Sequence, residues 1–98
     1  MKARFSRRSE IDLAAIGEFI AGHNPRRALT FVRELRIKAA QAATDPRLYA
    51  VHGELTVTVR RIVHGNYCIY YSLGDDGVQI ERIMHAAMSG HPETDESQ

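Results

Sequence analysis

The chain has one cysteine, no long apolar run, and no lysine where its strand-forming residues concentrate. Cys68 stands alone, so an internal disulfide is excluded and nothing argues for an oxidising compartment. No apolar stretch approaches the roughly 18 residues that a membrane-spanning helix needs. The basic opening Met1-Lys2-Ala3-Arg4-Phe5 lacks the apolar segment of a secretory signal, so a cytoplasmic location is expected. His85 and His91 have no cysteine or carboxylate at ligand spacing beside them, so neither a metal site nor a cofactor is expected. Internal repeats are missing too. Residues 1–91 are expected to form one domain, and residues 92–98 a disordered acidic tail.

That tail holds Glu93, Asp95 and Glu96, which conceal an excess of positive charge. The formal net charge is +1, yet residues 1–91 carry thirteen basic side chains against nine acidic ones. Eleven of the thirteen are arginine. Arginine's planar fork suits phosphate or carboxylate recognition, although the same bias also arises from a GC-rich genome.

The stretch from Leu55 to His85 organises the rest. Its three runs of Val, Ile, Thr and Tyr are separated by His64-Gly65-Asn66 and by Gly74-Asp75-Asp76-Gly77. Such turn residues allow tight connections, so an antiparallel three-stranded meander is expected. In the first run Val57, Val59, Arg61 and Val63 share one face, and Thr58, Arg60 and Ile62 the other. The valine face is expected to meet the helices, and Arg61, its awkward member, suggests a bulge near Arg60-Arg61. Both faces of Tyr67–Leu73 are apolar, as in a central strand.

Ahead of the meander the pattern is helical. Lys2–Phe5 is a short candidate strand at the sheet edge, and Ser6 caps a helix over residues 7–21 that Gly22 ends. Ser9 with Asp12 is a weaker capping pair. Ile11, Leu13, Ala15, Ile16, Phe19 and Ile20 cover more than half of this helix's circumference, which fits either two neighbours, its own core and another chain, or a helix wedged wholly in its own core. Asn24-Pro25 restarts a second helix running to about Thr44, where Asp45-Pro46 stops it. Ala28, Phe31, Val32, Leu35, Ala39, Ala42 and Ala43 form its inner face, and Glu34 with Lys38 an outer ion pair. The two helices make an antiparallel hairpin. Residues 47–54 read as a loop with a brief extended piece. His64 is expected to be an exposed turn residue and Cys68 a small buried one.

In this order and spacing the chain resembles the ParE/RelE toxin superfamily, and within it ParE-like toxins. The resemblance is carried by Ile11-Asp12-Leu13-Ala14-Ala15-Ile16, Asn24-Pro25, Asp45-Pro46, Arg60 and Arg61 before Gly65-Asn66-Tyr67, Ile69-Tyr70-Tyr71, and Ile80–His85 with Met88. It implies an α+β fold: a short N-terminal strand, a two-helix hairpin and a three-stranded antiparallel meander forming a curved sheet. It also implies the toxin of a type II toxin–antitoxin pair, a non-catalytic inhibitor of DNA gyrase. The neutralising partner would be a ParD-like antitoxin of the ribbon-helix-helix DNA-binding class, held in a hetero-oligomer. Target-binding candidates are then Arg60, Arg61, Tyr70, Arg82, His85 and Met88, and antitoxin-binding candidates Ile11, Asp12, Ala15 and Phe19.

The RelE-like alternative is a ribosome-dependent mRNA endoribonuclease. Metal-free cleavage needs an acid, a base and cations around the phosphate. RelE-type nucleases resemble one another in carrying arginine after the residue corresponding to Tyr67 and again after the last strand, where this chain has Cys68 and Ala86-Ala87. No lysine lies between Leu55 and His85. Many ParE members carry arginine where Ser72 and Ala87 stand, so a toxin-fold interaction module that has lost toxicity is a further alternative.

Overall fold

A computed structural model describes residues 2–45, 51–52, 59–74 and 77–89. Strand β1 (Lys2–Phe5) leads into helices α1 (Arg7–Ala21) and α2 (Pro25–Thr44). Strands β2 (Val51–His52), β3 (Val59–His64), β4 (Tyr67–Leu73) and β5 (Gly77–His85) follow, and the short helix α3 (Ala86–Ser89) closes the series. Among the described residues no helix is long and apolar enough to cross a membrane.

The sheet order is β1-β5-β4-β3-β2. The meander is antiparallel as expected, but β1 lies parallel to β5, so the sheet is mixed. The chain leaves β1 through α1 and α2 and returns beside it only with β5, the last strand of the meander, which runs in the same direction as β1. β1 also adds Lys2 to a sheet whose meander has no lysine. Gly77 is required opposite Lys2, because a Cβ there would run into the Lys2 backbone. Gly65, with φ of 59°, makes the two-residue turn between paired His64 and Tyr67.

Both helix starts follow local capping chemistry. The Ser6 hydroxyl accepts from Ser9 N–H at 3.0 Å, and the Asn24 side chain from Arg27 N–H at 3.1 Å, with Pro25 opening α2. Ser9 is not a cap. It is fully buried within α1, its hydroxyl donating to the Ser6 carbonyl at 2.8 Å.

The core lies between the helical hairpin and one sheet face. Leu13, Ile16, Phe31, Leu35, Ala39 and Ala42 meet Ile62, Ile69, Tyr71, Val78, Ile80 and Ile83 there. Burying each Leu or Ile side chain contributes about 1.5–3 kcal/mol. The alanines of α2 keep that helix close to the sheet. α1 crosses α2 tightly at Gly17, where a Cβ would sit 3.3 Å from Val32. In β4, Cys68, Ile69, Tyr70 and Tyr71 are all buried, which matches its central position.

Two strand expectations are overturned. In β3 the helix-facing side is Arg60, Ile62 and His64, whereas Val63 is 57% exposed. The turn fixes this: Phe31 of α2 packs on both His64 and Tyr67, and counting back by twos from His64 places Ile62 inside. The bulge lies elsewhere too. Tyr70 pairs with Arg82 and Tyr71 with Ile80, so Glu81 is the extra residue of β5. That insertion lets Ile80 and Ile83, three apart, face the same core.

The outer pair of α2 also differs from expectation. Glu34 binds Arg27 at 2.7 and 3.2 Å and His64 at 2.9 Å, rather than Lys38. His64 is thereby tied to α2 and is not a free turn residue. The Arg27 and His64 hydrogen bonds lower the Glu34 pKa from 4.5 to about 2. A depressed carboxylate pKa stabilises the fold above 4.5, and the effect is lost as pH falls towards 2. We predict that Glu34→Gln lowers stability above that window and that wild type and variant converge towards pH 2 in urea titrations. A constant difference across the acid limb would contradict the linkage. A second prediction tests the strand parity. Ile62→Ala should cost about 2–5 kcal/mol, and Val63→Thr stay within about 0.5 kcal/mol, by equilibrium unfolding.

Candidate functional site

The pairing of β1 with β5 ends at Phe5 and Ile80, and Ser6 N–H adds one more bond to the Ile80 carbonyl at 3.0 Å. There the chain turns into α1 and leaves the rest of the β5 edge without a strand. Two side chains take over. The Ser6 hydroxyl donates to the Glu81 carbonyl at 3.0 Å, and the Asp12 carboxylate accepts the Ile83 N–H at 2.9 Å. The same carboxylate accepts from Arg82 Nε at 2.8 Å and Nη2 at 3.1 Å, with Arg8 Nε at 4.0 Å. Only 10% of the Asp12 side chain is exposed, against 35% for Arg82. Accepting these bonds, Asp12 raises the Arg82 pKa further.

Along this edge runs an open groove of about 320 Å³, lined by Asp12, Ala15, Ile16 and Phe19 of α1 and by Tyr67, Arg82, Ile83, Met84 and His85 of the sheet. Phe19 is 67% exposed on its rim, and Ile11, 52% exposed, continues the same helical stripe. Tyr67 and His85 meet edge to face at 5.2 Å. His85 Nδ1 accepts the Ala87 N–H at 3.1 Å, which leaves Nε2 as the donor of the neutral ring.

The sequence-derived candidates therefore regroup. Asp12, Ala15 and Phe19, assigned to the antitoxin, share one groove with Arg82 and His85, assigned to the target. Arg60 and Arg61 are not among its lining residues: they sit on β3, with β4 between them and β5, and point to opposite faces. Tyr70 is only 7% exposed and so does not offer a stacking platform. The Met88 side chain and His91 lie outside the described residues. Among the described residues no three His, Cys, Asp or Glu side chains converge as metal ligands. Sequence reasoning missed Tyr67 and Met84 as groove residues; the turn that aligns Tyr67 with His85 was the available signal.

This architecture and groove can be set beside known proteins. The family model for the ParE toxin of the type II toxin–antitoxin system parDE matches residues 3–90. The chain belongs to the ParE toxin family. A solved structure titled "Chromosomal ParDE TA system from P. aeruginosa" is similar in fold, with a TM-score of 0.74 and 20% identity. That likeness covers 87% of this chain and 95% of the other. No curated protein sequence matches the chain. As a ParE family member, the chain is of the toxin class of type II toxin–antitoxin systems, which makes the β5-edge groove a candidate contact surface.

We predict that Asp12→Asn costs about 2–3 kcal/mol, below the full cost of breaking a buried ion pair because Arg82 is one-third exposed. Arg8→Ala, whose side chain is 64% exposed, should stay within about 0.5 kcal/mol. Equal losses in the two variants would show that Asp12 is a surface charge like any other.

Proposed function

We propose that the chain is a ParE-like toxin that inhibits DNA gyrase by binding rather than by catalysis, and that a ParD-like antitoxin neutralises it in a hetero-oligomer in the cytoplasm. The observation that carries this reading is the groove between α1 and β5. There an exposed apolar stripe, Ala15 and Phe19 continued by Ile11, flanks the Arg82–Asp12 pair and His85. A broad, mostly apolar surface with a few fixed polar groups is built for holding a macromolecule. Family membership supports the toxin–antitoxin context.

The arginines also argue against RNA cleavage. Arg82 is committed side-on to Asp12, and Arg60 and Arg61 point to opposite faces of β3. Phosphodiester cleavage needs an acid, a base and cations converging on one phosphate, and this arrangement disperses them. The antitoxin is expected to lay a helix or strand against the α1 stripe, drawn by the basic balance of residues 1–91.

Purified protein should block supercoiling by gyrase and leave ribosome-bound mRNA intact. Phe19→Ser, at an exposed position, should weaken antitoxin binding by about tenfold without unfolding the protein. Codon-specific mRNA cleavage with unaffected gyrase would replace this reading by the nuclease. A normal growth rate at high soluble yield would point to an interaction module without toxicity.

A further inference from the structure

We infer that the groove along the β5 edge is a carboxylate-reading site: it takes one Asp or Glu side chain of a protein partner, with an apolar neighbour lodged against Phe19. This rests on the reading that the groove receives a protein, and it adds which chemistry is read. The charge count is the first argument. Asp12 carries one negative charge and faces two arginines, Arg82 at 2.8 Å inside the groove and the exposed Arg8 at 4.0 Å outside its lining, so the three side chains together keep one unmatched positive charge at the groove's edge. A monoanion completes it.

Donor geometry is the second argument. Arg82 uses Nε and Nη2 on Asp12, and its Nη1 has no hydrogen-bond partner among the described residues. His85 lines the same groove and has an Nε2 donor to offer, because its Nδ1 is occupied by the Ala87 N–H. Held side-on by Asp12, Arg82 cannot swing freely, so a second carboxylate meets a guanidinium whose ordering cost is already met within the fold.

A nucleic-acid strand fits less well. Its backbone repeats a negative charge at every nucleotide and needs a continuing track of cations. Of the other sheet arginines, Arg4 sits on β1 opposite Gln79 with an interaction of its own, and Arg60 and Arg61 lie beyond β4 and face opposite ways. The groove walls beside Arg82 are Ala15, Ile16, Phe19, Ile83 and Met84, which offer no further cation to a second phosphate. One carboxylate beside one apolar side chain matches this lining.

The test uses the full chain, labelled with nitrogen-15, and two capped synthetic peptides that differ only at the centre of a Leu-Glu-Leu or Leu-Gln-Leu core. The Glu peptide should bind about tenfold tighter, the size of one charge-assisted hydrogen bond. It should shift the Arg82 Nε–H and the Ala87 amide, which reports on His85. Ala15→Glu, an exposed groove position that leaves the core intact, should abolish that preference. Equal binding of both peptides, no binding of either, or a preference that survives Ala15→Glu would overturn the inference. So would a short single-stranded RNA that shifts the same resonances more strongly than the Glu peptide. Supercoiling measured on the same preparation reports the gyrase target separately, so loss of that activity with the Glu preference intact would count against the target and not against the groove.

Discussion

A single carboxylate sits where the fold changes from strand to helix. β1 can pair with β5 only as far as Ile80 before the chain turns at Ser6 into α1. The outward-facing backbone groups beyond that point would be left at an open edge, which is costly when half-buried and an invitation to unwanted pairing. Asp12, one turn and a half into α1, closes the gap by accepting the Ile83 N–H. It therefore fixes the distance between α1 and the sheet, and with it how Leu13 and Ile16 reach the core.

The same contact has a consequence for recognition. Because Arg82 is rooted in the register row of Tyr70, away from the helices, its side chain must pass round the β5 edge to meet Asp12. The Glu81 bulge makes this possible by adding a residue and a twist immediately before Arg82. Glu81 itself accepts from the Ser72 hydroxyl at 2.6 Å on the other face. Thus one irregularity in one strand keeps Ile80 and Ile83 in the core and presents Arg82 beside α1. The groove is a product of strand geometry as much as of the helix that roofs it.

Much of this was readable from residue order, and the failures have physical reasons. Both long helices were legible because Ser6, Asn24 and Pro25 are strong local signals and the apolar stripes are periodic. The sheet direction of β1 was not, since parallel pairing between the chain's two distant ends leaves no local trace. For the face of β3, Val57, Val59 and Val63 outvote Ile62 by composition, whereas the turn at Gly65 and the ring of Phe31 decide it by contact. Arg61 among the valines suggests a bulge at Arg60-Arg61, whereas the three-residue spacing of Ile80 and Ile83 in a strand of period two marks the one in β5. Asp12 showed only as a polar break in the apolar arc of α1. Its partners, Arg82 and Ile83, are some seventy positions away, and no helical pattern encodes a contact of that range.

Asp12 holds the β5 edge shut through its bond to the Ile83 N–H. Amide hydrogen exchange at Ile83 reads this directly. If the carboxylate caps that N–H as described, the Ile83 amide will exchange only with global unfolding, like Ile69 in the middle of the sheet, and Asp12→Ala will release Ile83 while Ile69 stays protected. An Ile83 amide that exchanges as fast as an open strand edge in the unaltered protein would contradict it.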